Sequence, residues 1–363
     1  MQIITDILVA VLVAYLSLVN GLATFIQDIG APETPAVVID DEAEVDNRLS
    51  LLPSKLGEII PDVLLRSAEY QSAALSSAAS LTGATTDDPL EAIVNIFCTF
   101  RTDEYIRTTT GTGFFIDPDG VIMTNAHVAQ FLLFEETDEL GETECVVRSG
   151  NPAAPKYYAE LLYIPPAWIL ENATVMNDAV PMGTGERDYA LLFVSEHVDN
   201  SPLPARFPAL SFDTELLPIS TRENTVTAAG YPASELLARG PSVDLIPVKA
   251  ETTVSELYTF GSNYADVFSI RGSAVGEEGA SGGPVLNEDG DVIGMIVTRG
   301  DDETDGVGSL RAITLSHVGR TIKEETGFTL GENTGGNLPN RARIFSSTMT
   351  PFLLTILQQA EAN

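Results

Sequence analysis

Ser281 lies in Gly279-Ala280-Ser281-Gly282-Gly283-Pro284, and well upstream stands Thr124-Asn125-Ala126-His127-Val128. A serine hydroxyl is a poor nucleophile at neutral pH. It needs a base within hydrogen-bond reach and backbone donors aimed at the oxyanion that forms on attack. His127 can be that base, and the glycines around Ser281 can leave the donors uncovered. An acid to hold the imidazole is available at Asp188, directly before the apolar run Tyr189-Ala190-Leu191-Leu192-Phe193-Val194. Taken singly, Ser281 reads as a turn serine, His127 as a packed histidine and Asp188 as a strand-start cap. Taken together, in the order His, Asp, Ser, they supply the three parts of acyl-transfer chemistry.

Short strands and tight turns must position these residues. From about Leu90 onward, brief apolar runs alternate with turn chemistry, the pattern of an all-β barrel or sandwich. Asp117-Pro118-Asp119-Gly120 joins residues 113–116 to 121–124 and leads straight to His127; Asn287-Glu288-Asp289-Gly290 joins 285–286 to 292–297 and follows Ser281. Both suit a type I turn closed by a left-handed glycine. No blade-like or solenoid-like repeat is visible. A helix is predicted over 316–326, with Val318 and Ile322 on one face and Gly327 as its stop. Beyond it come a Gly/Asn linker and a short apolar helix over 351–360, with Thr350 as N-cap and Pro351 in its first turn. That last helix is too short to span a bilayer and is expected to pack on the barrel or on the N-terminal linker.

Five motifs carry a family resemblance: Gly111-Thr112-Gly113-Phe114-Phe115-Ile116, Thr124 to Val128, Arg187 to Leu192, Ala228-Ala229-Gly230-Tyr231-Pro232 and Gly279 to Pro284. In content and order they resemble those of trypsin-like serine proteases of the chymotrypsin fold, in the style of the bacterial Deg/HtrA group, over about half of the chain. The resemblance implies an all-β protein of two six-stranded antiparallel β-barrels and a serine endopeptidase working through an acyl-enzyme. It makes Ser281 the nucleophile, His127 the general base and acid, and Asp188 its orienting carboxylate. The amides of Gly279 and Ser281 become the oxyanion hole, with protein or peptide substrates, no cofactor and no metal. Ala280 stands where digestive trypsins carry an aspartate, so activation by a newly cut N-terminus is not expected. Val275, six residues before Ser281, replaces the aspartate that would select Lys or Arg. With Val297, Thr298 and Arg299 on the facing wall, an apolar or small P1 residue is expected, or an acidic one drawn by Arg299. The PDZ module that many members carry is not expected in the short tail.

Two other readings stay open. One is a catalytically silent, chaperone-like binding protein built on the protease fold. The other is an esterase whose Gly279-x-Ser281-x-Gly283 is a nucleophile elbow, with Asp305 and His317 downstream; it requires a helix after Ser281 and leaves the His127 motif unexplained. His197 and His317 otherwise read as surface or helix-end residues. The run Asp301-Asp302-Glu303-Thr304-Asp305 starts like a calcium loop, but Ala312 occupies the closing glutamate position, so a solvated loop is expected.

The 363 residues, 44% hydrophobic, suffice for a sizeable core. With 52 acidic against 19 basic residues the net charge is -33, which repels phosphate backbones and anionic membrane surfaces, so nucleic acid is not an expected partner. Ile7 to Ile26 carries no charge and is long enough for a bilayer core of about 30 Å. With no Lys or Arg before it, this segment reads better as an uncleaved anchor than as a signal peptide. The expected chain is thus membrane-anchored with an extracytoplasmic protease domain, or secreted if the segment is cleaved. In an exported protein, Cys98 and Cys145 are expected to form a disulfide around His127, two buried thiols being the alternative. The expected organisation is an anchor over 1–28, an acidic Pro/Ser/Ala-containing linker with short helices over 29–89, the protease domain over 90–330, and a linker with a short helix over 331–363. Oligomeric state is not legible.

Overall fold

In the computed structural model the described residues are 64, 67–75, 83–101, 106–137, 142–174, 185–239, 243–261 and 263–361, all within the unit Pro53–Asn363. Among the described residues twelve strands form two closed antiparallel barrels. The first contains β1 (Ile93–Arg101), β2 (Ile106–Asp117), β3 (Val121–Thr124), β4 (Glu142–Ser149), β5 (Ala154–Tyr163) and β6 (Ala190–His197). The second contains β7 (Thr225–Gly230), β8 (Val248–Tyr258), β9 (Val267–Ile270), β10 (Pro284–Leu286), β11 (Val292–Arg299) and β12 (Leu310–Thr314). Around the first ring the order is β1-β2-β3-β6-β5-β4, and the second repeats it as β7-β8-β9-β12-β11-β10. This duplication lies in topology alone, which is why no repeat shows in the residues.

Turn chemistry sets the two hairpins beside the site. Gly120 (φ 92°) and Gly290 (φ 87°) take the left-handed position, while Asp117 and Asn287 accept the amides of Asp119 and Asp289 on their side chains at 2.8 and 3.1 Å. These Asx turns close each bend locally, and the first is held further by the Thr334 hydroxyl, which donates to Asp117 Oδ2 at 3.2 Å. β3 is buried along its whole length, so the residues that follow it enter the molecule's interior. The second barrel encloses Val226, Ala228, Val254, Phe268, Ile270 and Ile296.

The helix Leu315–Thr326 is capped by Thr314, whose hydroxyl accepts the His317 amide at 3.1 Å, and stops at left-handed Gly327 (φ 83°). Leu315, Val318 and Ile322 are its buried apolar residues. The stretch expected as a Gly/Asn linker is instead helical over Leu330–Asn333 and Leu338–Thr348. Its buried face hides behind a charged residue: Arg341 is fully buried, its guanidinium donating to the carbonyls of Asn333 and Gly335, to Asn333 Oδ1 and to the Tyr70 hydroxyl. Tyr70 belongs to the helix Ala68–Leu75, so this part of the segment expected as a linker docks on the helix that carries Arg341. The final helix, Thr350–Glu361, packs over the helix Pro166–Asn172 and the turn Gln130–Glu136 of the first barrel. Among the described residues no helix is long and apolar enough to cross a membrane; the expected anchor, residues 7–26, lies outside them.

Candidate active site

His127 sits in the single-turn helix Ala126–Ala129 that begins as soon as β3 ends. Asp188 lies immediately upstream of β6, the strand paired with β3, so sheet register alone brings acid and base together. The two are 5% and 0% exposed. Asp188 holds the histidine at two points: Oδ1 accepts the His127 backbone amide at 3.0 Å and Oδ2 faces Nδ1 at 2.7 Å. A carboxylate at Nδ1 draws the ring proton to that nitrogen and leaves Nε2 as the basic site. Asn125 fixes the acid's backbone in turn, donating from Nδ2 to the Asp188 carbonyl at 2.9 Å.

Ser281 occupies a turn seated between the barrels. Thr112, fully buried on β2, donates its amide to the Ser281 carbonyl at 2.7 Å and its hydroxyl to the Gly279 carbonyl at 2.7 Å. The same hydroxyl accepts the Tyr231 amide at 2.9 Å, and the Thr112 carbonyl accepts the Thr124 hydroxyl at 2.7 Å. One threonine of the first barrel therefore connects the Ser281 turn, the strand ahead of His127 and the segment after β7. The glycines follow from this closeness. Gly279 (φ 92°) has Tyr231 O and Ala233 Cβ each 2.7 Å from where a Cβ would stand, and at Gly282 (φ 87°) a Cβ would meet Thr112 O at 1.9 Å. Among the described residues, no acceptor takes the amides of Gly279 or Ser281. Two free N–H groups beside a serine are the donors an oxyanion requires.

On the proposed pocket walls, Val275 and Val297 are buried, Thr298 is half-buried and Arg299 is exposed. Val275 packs near Gly230, and Val297 packs near Gly185 at the start of the Asp188 loop. Cys98 and Cys145 face each other across β1 and β4 as a disulfide with Cα atoms 4.0 Å apart. Thr112 escaped the reading of its own motif, because its importance lies in contacts more than a hundred residues away.

The remaining histidines differ. His197 is partly exposed and lies 2.6 Å from Asp199 Oδ1. His317 was expected at a surface or helix end; it stands in the first turn of its helix but is buried, with Nδ1 3.0 Å from the fully buried Asp266. Asp266 also accepts from Arg320 and from the Phe260 amide, so this pair is a structural anchor for the segment between β8 and β9. The esterase reading is overturned here: a strand, β10, follows Ser281, and the carboxylate facing His317 belongs to Asp266 rather than Asp305. Asp301 to Asp305 do not form an open loop. Asp301 caps the short helix Asp302–Asp305, and among the described residues no cluster could hold a metal ion.

Two closed six-stranded barrels with a serine turn at their seam define the chymotrypsin fold. A family model of the trypsin-like peptidase domain matches residues 111–295, and the chain belongs to that family of serine proteases. Among solved structures, it is similar to the Rv3671c protease from M. tuberculosis in its active form, at 21% identity and a TM-score of 0.40, over 69% of this chain and 87% of that one. The inactive form of that protease gives 22%, 0.38, 66% and 91%. Deg5 gives 19% identity and a TM-score of 0.40, over 64% of this chain and 87% of its own. No curated protein sequence matches the chain.

Proposed function

We propose that this serine protease is an endopeptidase in which Ser281, His127 and Asp188 act as the triad. The Ser281 Oγ attacks the substrate carbonyl carbon while its proton passes to His127 Nε2. The carbonyl oxygen becomes an oxyanion between the amides of Gly279 and Ser281, each such donor being worth about 2.7–4 kcal/mol in the transition state. Collapse breaks the C–N bond, the leaving amine takes the proton from His127, and water then cleaves the acyl-enzyme by the same route. Asp188 stabilises the imidazolium and keeps its proton on Nδ1.

The observation that carries this reading is the two-point hold of Asp188 on His127, at 3.0 and 2.7 Å. A packed histidine has no need of a buried carboxylate that fixes both its backbone and its ring. Ala280 beside the nucleophile leaves no carboxylate for a trypsin-style activation switch. Val275 favours cleavage after apolar or small residues, with Arg299 able to attract an acidic one. The uncharged segment Ile7–Ile26 tethers the protease to a membrane.

Labelling by a fluorophosphonate probe tests the mechanism. Wild type is expected to react and Ser281→Ala not to, with kcat reduced on the order of 10⁶, the value known for the nucleophile of subtilisin. A well-folded wild type that neither reacts nor cleaves peptides would make the chain a silent, binding form of the fold.

A further inference from the structure

Asp188 is flanked by two residues that a helix from beyond the second barrel holds in place. Arg187, just before it, has φ 54°, the left-handed region that a residue with a Cβ enters only when its surroundings demand it. Its Nε lies 3.0 Å from Oε1 of Glu325, whose side chain is 4% exposed. This close approach is an ion pair. The other carboxylate oxygen of Glu325 accepts the hydroxyl of fully buried Tyr163. Just after Asp188, the Tyr189 hydroxyl pairs with Thr321 Oγ1 at 2.9 Å. Thr321 and Glu325 are four apart on the helix Leu315–Thr326 and share a face. One helix face thus grips the chain on both sides of Asp188. The other carboxylates nearby are Glu186, 3.8 Å from Arg187 but 39% exposed, Glu171 and Glu324.

Stability does not explain this arrangement. Burial pushes the Glu325 carboxyl above its usual range, against the pull of Tyr163 and Arg187, and well-packed apolar residues commonly replace a buried ion pair without loss. Geometry does explain it. Asp188 must offer both oxygens to His127 at once, which leaves its backbone little freedom, and that backbone is continuous with the left-handed Arg187.

We propose that Glu325 is a positioning residue for catalysis, holding Arg187 and through it the loop that aims Asp188 at His127. The proposal rests on the triad reading above. Its test compares wild type, Glu325→Gln and the double variant Arg187→Gly/Glu325→Gln for kcat and KM on a peptide substrate across pH, per active site titrated with a fluorophosphonate. Glutamine keeps the volume and an acceptor for Tyr163. The double variant removes both charges and suits φ 54° with glycine, so it folds even where an unpaired Arg187 would prevent the single variant from doing so. Since about 1 Å of misplacement costs on the order of 10²-fold, kcat is expected to fall roughly tenfold to a hundredfold in both variants. KM should stay within about twofold, and the acid limb of the kcat/KM profile, which reports the base of the free enzyme, should be displaced. Wild-type kcat and acid limb in the folded variants, whatever their melting temperatures, would overturn the proposal. An unlabelled, inactive wild type would overturn the triad reading, and this inference with it.

Discussion

Replacing Gly282 by alanine probes whether the first barrel dictates where the proposed nucleophile stands. An added Cβ would lie 1.9 Å from the Thr112 carbonyl oxygen and 2.6 Å from Thr124 Oγ1, where real contacts do not fall below 3.0 Å. The turn must therefore retreat from β2 by more than about 1 Å. Such a retreat breaks the bond from the Thr112 amide to the Ser281 carbonyl, now 2.7 Å. A displacement of about 1 Å at a reacting group lowers the rate on the order of 10²-fold. Left-handed strain adds a stability loss of about 1–2 kcal/mol. Gly290 supplies the control: it too has φ 87°, yet a Cβ there meets nothing within 4 Å. Gly290→Ala carries the strain alone and is expected to keep kcat/KM within about twofold of wild type. The assay is kcat/KM per titrated active site, with thermal melting of both variants. Activity of Gly282→Ala within about fivefold of Gly290→Ala would refute the idea that the seam positions Ser281.

Two further outcomes concern stability. The Cys98–Cys145 bridge closes a loop with a sequence separation of 47, which in the chain-entropy account contributes about 4 kcal/mol. The double variant Cys98→Ala/Cys145→Ala should show that loss as a lower denaturant midpoint while its kcat holds, because Asp188 still fixes His127; an unchanged midpoint would refute the account. His317 has a depressed pKa, caused first by burial and opposed by Asp266. The unfolded chain therefore takes up this proton before the folded one does. The associated stability is present above the ordinary histidine value of 6.5 and is lost as pH falls through the lower folded one. Melting temperatures of wild type and His317→Gln, followed from about pH 7.5 to about pH 5, should converge on acidification; parallel curves would refute the assignment.

Local chemistry was legible in the residues, and distant pairing was not. The glycines of the two Asx-closed turns announced both hairpins, and Gly327 announced the end of its helix, because a left-handed position restricts residue type wherever it occurs. His127, Asp188 and Ser281 stood out through their neighbours in short motifs. Thr112 and Glu325 did not, since each matters through a partner that only the closed barrels bring near. The helix Leu338–Thr348 escaped because Arg341 occupies its buried face, and Pro339 and Asn337, start signals of a helix, read equally well as loop residues. His317 reads as a surface or helix-end residue for the same reason: its carboxylate, Asp266, arrives from the segment just before β9. Helix and strand periodicity records where apolar residues face, so buried polar groups with distant partners disturb the pattern that would reveal them.

The threonine at the seam makes the proposed active site a property of the joint between the barrels. Each ring of strands closes on its own hydrogen bonds, but the serine turn of one ring is seated on the backbone of the other. A slight parting of the two halves would unseat Ser281 while leaving every strand ladder intact. With Ser281 as the nucleophile, catalytic competence is a finer gauge of how closely the barrels are docked than any measure of their β content.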